Sequence, residues 1–196
     1  MMKAGMATAR GFVLLSLAVA AWANDGWRKA RDAQDRPALD RYAAEAAERS
    51  KASVGDAAAH YQAALVEFYR SEVALELKDR GGARAAAETG IRLAERAVEL
   101  APANAEYHRI LGTLCGQIIP ANVLAGISYG KRSQESIARA LELDPKSARA
   151  WVSRGVGNYY LPEALGGGVE RAIRDFEKAI ALDPKSAEAH LWLGVA

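Results

Sequence analysis

Residues 148–184 read ARAWVSRGVGNYYLPEALGGGVERAIRDFEKAIALDP, and this stretch decides the fold. Apolar and small residues recur at three- and four-residue steps on either side of Gly166-Gly167-Gly168. The spacing predicts two amphipathic helices joined by a glycine-rich turn. Gly155 and Ala172 are small, so the two helices can approach closely where they cross. Trp151 and Phe176 are large and fill the space beside the crossing. Pro184 cannot continue a helix and fixes the exit.

Upstream, the same pattern recurs in longer copies. Asp35-Arg36-Pro37 predicts a helix start, with Asp35 as cap and proline in the first turn, running to about Ser53. Residues 24–36 before it are polar and read as a loose lead-in or a short helix, so 24–55 forms an N-terminal segment. From Asp56 to Leu77, the residues Tyr61, Leu65, Phe68, Tyr69, Val73 and Leu77 lie on one helical face. Asp79-Arg80-Gly81-Gly82 reads as a turn, Ala83–Leu100 as the next helix, and Pro102 as its stop. A further unit opens at about Ala103. Pro102 to Pro145 spans 43 residues and Pro145 to Pro184 spans 39, so both units exceed the common 34-residue helix-pair repeat. The extra length of the first falls in Gly116–Gly130. It reads as one long helix from about Ala121 to Leu143, with Pro120 at its start. The extra length of the second falls within Tyr159–Gly168.

At the downstream end, Asp183-Pro184-Lys185-Ser186-Ala187 repeats Asp144-Pro145-Lys146-Ser147-Ala148. The expected organisation is therefore a helical repeat domain over 56–196, with units at about 56–102, 103–145 and 146–184 and a partial unit over 185–196. A solenoid usually ends on a unit with a polar outer face, which LWLGVA does not supply; a truncated sequence is the preferred expectation, and a half-unit packed as a lid on the preceding pair is the alternative.

The other end reads as a targeting segment. Lys3 and Arg10 precede the apolar run GFVLLSLAVAA, and Ala21-Trp22-Ala23 fits a small-x-small cleavage site. The run is too short to span a membrane, so residues 1–23 are expected to be a cleaved secretory signal. The protein would then be exported, periplasmic or secreted in a bacterium, with no stable membrane insertion afterwards. Without Lys3 and Arg10 the chain carries 24 basic and 24 acidic residues, which gives no footprint for nucleic acid. Cys115 is the only cysteine, so no intramolecular disulfide can form and the core must hold the fold.

Leu111-Gly112, Ala140 and Pro145 in one unit, and Trp151, Gly155, Ala172, Phe176, Ala179 and Pro184 in the next, resemble the tetratricopeptide-repeat (TPR) superfamily. Arg154 stands where Leu is usual and Ser133 where Ala is usual; Arg154 can run along an apolar surface with its head in water. The lengthened units are similar to bacterial exported repeat proteins. More distantly, YGKRSQESIARALELDP and LPEALGGGVERAI resemble the regulator of microtubule dynamics family. The resemblance implies an all-α, right-handed α-solenoid whose first helices line a concave groove for a protein or peptide segment. By the same pattern the groove would show Arg109, Thr113, Arg149, Val152, Ser153 and Val156. The two arginines would make it locally basic, suiting an acidic segment or a carboxylate. Thr113 and Val156 stand where the carboxylate-clamping chaperone binders carry Asn, so that activity is not implied.

Other chemistry is weakly signalled. Gly166-Gly167-Gly168 joins two helices and lacks the strand and lysine of a phosphate loop. His108 and His190 occupy the position that Trp151 holds in the middle unit, which favours packing over metal ligation. Cys115 follows His108 by seven residues with no third group to orient a nucleophile pair, so it reads as buried filler. Glu95, Glu99, Glu142, Asp175 and Glu177 read as solvated helix-surface charges. No cofactor, metal or catalytic set is expected. The leading expectation is a non-catalytic exported scaffold. The alternative is a small-molecule binder for an organic acid or lipid-like ligand serving an envelope transporter. Its pocket would be walled by Ile118–Ile127 and a lip of Tyr159 and Tyr160, although packing between units is the preferred reading of those tyrosines.

Overall fold

The computed structural model describes residues 26–121 and 126–196. The expected signal segment, together with Val123 and Leu124, lies outside them. Among the described residues the elements are helices and turns: α1 (26–32), α2 (Arg36–Ala52), α3 (Ala57–Glu76), α4 (Arg80–Leu100), α5 (Ala105–Ala121), α6 (Gly126–Leu143), α7 (Ala148–Tyr160), α8 (Val169–Leu182) and α9 (Ala187–Val195). The helices pack as hairpins α3–α4, α5–α6 and α7–α8, joined through α4–α5 and α6–α7. This is the expected α-solenoid. Its boundaries follow local chemistry. Asp35 accepts a hydrogen bond from the Ala38 amide, Asp56 from Ala58, Ser147 from Ala150 and Ser186 from Ala189, each satisfying a donor that the first turn leaves unpaired.

The core runs along the solenoid. One part packs residues of α1 to α5, from Trp27 and Leu39 to Ile110, Leu114 and Ile118. Ile137, Leu141 and Ala150 join α6 to α7. Val152, Ala172, Phe176, Ala179 and Ala189 bind α7, α8 and α9. The Gly155 position is where α7 and α8 close on each other: a Cβ there would stand 2.4 Å from the Phe176 ring. Gly112 plays the same part in α5, where a Cβ would meet Ile137 at 2.7 Å and the Ser133 carbonyl at 2.9 Å.

Several local readings need correction. Of the two expectations for the segment before α2, the short helix is the one found: Trp27 on α1 is buried and meets the Tyr42 ring edge-on at 6.4 Å. Arg80-Gly81-Gly82 is not a turn but the first turn of α4, capped by Asp79 through the Gly82 amide. The chain reverses instead at Lys78, a non-glycine residue at φ 61°. Pro120 does not open a long helix; it lies near the end of α5, and α6 starts at Gly126. The extra length of this unit thus extends both helices of the hairpin. In the next unit the extra residues form a short 3-10 turn over Glu163–Leu165, followed by Gly166 and Gly168 at φ 88° and 107°.

Candidate partner-binding face and the charges that line it

The first helices of the units, α3, α5 and α7, share one polar network. Its centre is Glu106, in the first turn of α5. Arg109, one turn on, donates to it twice, from Nε at 2.7 Å and from Nη2 at 2.6 Å. Tyr61 of α3 donates its hydroxyl at 2.9 Å. Arg149 of α7 approaches the same carboxylate at 3.6 Å. Thr113 donates to the Arg109 carbonyl at 2.9 Å and reaches Ser153 of α7 at 3.3 Å; Arg109 Nη1 reaches that hydroxyl at 3.4 Å. Tyr61 also stacks on Tyr107 at 5.0 Å.

Burial and pairing act together here. Burial works to raise the Glu106 carboxyl, and the hydrogen bonds from Arg109 outweigh it, holding the group below its usual range. Burial works to lower the Arg109 guanidinium, and Glu106 outweighs it, so the cation is held above its usual range. Burial pushes the Tyr61 phenol up, and the Glu106 charge adds to that. All three groups therefore keep fixed ionisation states at neutral pH, and the network is a rigid array of charges.

The expected groove residues divide. Arg109, Thr113 and Ser153 come together, and Arg149 joins them through Glu106. The face is not basic, because Glu106 lies between the two arginines and pairs with both. Arg109 is buried, so its charge serves the network. Val152 is also buried and faces the α7–α8–α9 core with Val156 packed against it, so neither forms an open groove wall. Tyr159 and Tyr160 meet Trp192 of α9 at 5.9 and 6.1 Å, which places them between units, with Tyr160 still largely exposed. Ile118 is in the core. Glu106 and Tyr61 are the residues that sequence reasoning missed. The Glu106–Arg109 spacing of three was a legible helical ion pair; Tyr61 belongs to another unit and gave no such signal.

Asp175 is not the surface charge that its place in the sequence suggests. It is buried between α7 and α8, accepting from Arg154 at 2.6 and 3.0 Å and from Asn158 at 2.8 Å. Arg154 does not simply extend into water; its guanidinium also lies over Trp151 at 4.1 Å. The histidine equivalence holds in atomic detail. The ring nitrogens of His60, His108, Trp151 and His190 reach the carbonyls of Val54, Pro102, Pro145 and Pro184, each six residues back, at 3.1, 2.9, 2.9 and 3.1 Å. A carbonyl can only accept, so the histidines carry their proton on Nε2. Cys115 is fully buried, and burial pushes its thiol up to about 11, which keeps it neutral and unreactive. Among the described residues no cluster of His, Cys, Asp and Glu is placed to hold a metal, and no helix is long and apolar enough to cross a membrane.

Comparison with known proteins fits this architecture. The family model described as RMD1-3, Regulator of microtubule dynamics protein 1-3, matches residues 27–163, and a TPR repeat model matches residues 165–196. Among solved structures, the HusA haemophore from Porphyromonas gingivalis superposes with a TM-score of 0.67 at 19% identity, covering 88% of this chain and 91% of that one. At this identity the likeness is one of fold. A crystal structure of MamA aligns with a TM-score of 0.49 at 20% identity, over 86% of this chain and 81% of the other. No curated protein matches the chain.

Proposed function

The chain belongs to the regulator of microtubule dynamics protein 1-3 family, and from that premise we propose that it is a non-catalytic, exported scaffold that binds a protein or peptide segment across α3, α5 and α7. One observation carries this reading: the network of Tyr61, Glu106, Arg109, Arg149, Thr113 and Ser153, which ties three successive units into one polar face. A face held rigid before contact loses little entropy on binding. It offers the half-exposed Arg149 guanidinium and the partly exposed Thr113 and Ser153 hydroxyls. With Glu106 already compensating both arginines, it suits a segment of mixed polarity whose backbone amides and carbonyls pair with these groups. An all-acidic segment would find only Arg149. Export rests on the residues of 1–23, and the non-catalytic part rests on the repeat fold.

Site-specific photo-crosslinking tests the binding face. A crosslinker placed at Ser153 should capture a discrete partner from an envelope extract, and one at Lys178, exposed on α8, should not. Equal capture from both positions, or from neither, would remove the inner face as the binding surface. Export is tested separately by sequencing the N-terminus of the purified native protein, which should begin at Asn24.

A further inference from the structure

The cleft between α7 and α8 holds a second concentration of charge, which shares no residue with the inner-face network. Its walls are Arg154 and Asn158 of α7 and Arg171, Arg174 and Asp175 of α8, around a cavity of about 360 Å³. Both oxygens of the buried Asp175 are already occupied, Oδ1 by Arg154 Nη2 and Oδ2 by Arg154 Nε and Asn158 Nδ2. This side-on pairing leaves Nη1 of Arg154 unengaged by Asp175. Trp151 under the guanidinium plane fixes its orientation. Arg154 is therefore set in place before any ligand arrives. Arg171 gives only Nη1 to the Gly166 carbonyl, at 2.7 Å. Arg174 is exposed and makes no hydrogen bond or ion pair among the described residues. Three guanidinium groups against one carboxylate leave the lining with two positive charges in excess.

We propose that this cleft binds a dianionic phosphate group, either free or as a phosphomonoester. A single guanidinium fork engages both oxygens of a planar carboxylate, as Arg154 does those of Asp175. Three arginines around one cavity call instead for an acceptor with oxygens in several directions and two charges, which a tetrahedral phosphate supplies. The fixed Arg154 lowers the ordering cost of binding, and the excess charge of the lining is neutralised by the ligand.

Calorimetric titration of the purified protein at constant ionic strength tests this, with inorganic phosphate in one arm and glycerol 2-phosphate in the other. Saturable binding is expected in at least one arm, weakened about tenfold in Arg174→Ala through loss of a charge-assisted contact. It should be unchanged in Arg139→Ala, which removes an exposed arginine paired with Glu142 on α6. Tighter binding of the ester assigns a phosphoryl-bearing ligand, and binding of inorganic phosphate alone assigns the free anion. Acetate at the same ionic strength should give no saturable heat. The proposal is overturned by the absence of saturable binding in both arms, by acetate binding as tightly as phosphate, or by equal behaviour of the two arginine variants. Arg174 has no partner to lose, so a thermal melt of Arg174→Ala should match that of the parent and exclude unfolding as the cause.

Discussion

Phe176 shows how much depends on single side chains in a solenoid of thin units. It is fully buried, sits against the bare backbone of Gly155 and stacks on Trp192 at 6.2 Å. Phe176→Ala should cost about 3–5 kcal/mol, the usual range for an aromatic removed from a core, read as a lowered denaturation midpoint. The complementary change Gly155→Ala pushes a methyl into the same ring and should cost about 1–3 kcal/mol. A melt unchanged by both substitutions would contradict the α7–α8 packing. Asp175 was not legible in the same way. Its partners Arg154 and Asn158 lie 21 and 17 residues away, across a turn lengthened by five residues over the common repeat. Sequence spacing shows that α8 is amphipathic, but it does not show which α7 residue comes opposite each position. Arg109 hid its burial for a related reason. Its charge was visible, whereas the burial that turned it towards Glu106 depends on the next unit packing over it.

At the scale of elements, caps and stops were the legible part. Asp35, Asp56, Pro102, Pro145 and Pro184 each act locally, so the sequence states their effect directly. The exceptions were turns where two local solutions compete. Gly81-Gly82 suggested a turn, yet Asp79 captures the Gly82 amide and starts the helix there. A glycine without a Cβ leaves room for that carboxylate, since a Cβ on Gly82 would stand 2.5 Å from Asp79 Oδ2. The left-handed conformation then falls on Lys78. Lys78→Gly should stabilise the α3–α4 hairpin by about 0.5–1 kcal/mol, measured by chemical denaturation, because glycine adopts that conformation without the Cβ clash. A neutral or destabilising result would mean that the turn relaxes without strain. Ser147→Ala, which removes the cap of α7, should cost about 1 kcal/mol, while Ser147→Gly should cost only a few tenths.

Across the whole molecule, the superhelix brings distant units within electrostatic reach. Glu72 of α3 is paired at 3.5 Å with Arg31 of α1, and Asp32, Glu76 and Glu188 at the start of α9 add negative charge around it. Burial pushes the Glu72 carboxyl up to about 7, with Arg31 opposing and Glu188, Glu76 and Asp32 adding to the rise. The folded state thus holds this proton more tightly than the unfolded state. The contribution of Glu72 to stability is most favourable below the ordinary glutamate pKa and is lost as pH rises towards 7. Glu72→Gln should therefore raise the melting temperature at pH 8 and leave it nearly unchanged at pH 4. A shift of equal size at both pH values would rule out ionisation as the cause.

The four ring-to-carbonyl bonds, at Val54, Pro102, Pro145 and Pro184, carry a consequence for how this chain can vary. Each bond ties the start of a first helix to the segment entering it, and each is made by whichever ring is at hand, imidazole or indole. The joint is therefore indifferent to ring size and to the length of the hairpin that follows. Units of unequal length can therefore share one kind of joint, like beads of different widths on hooks of a single gauge.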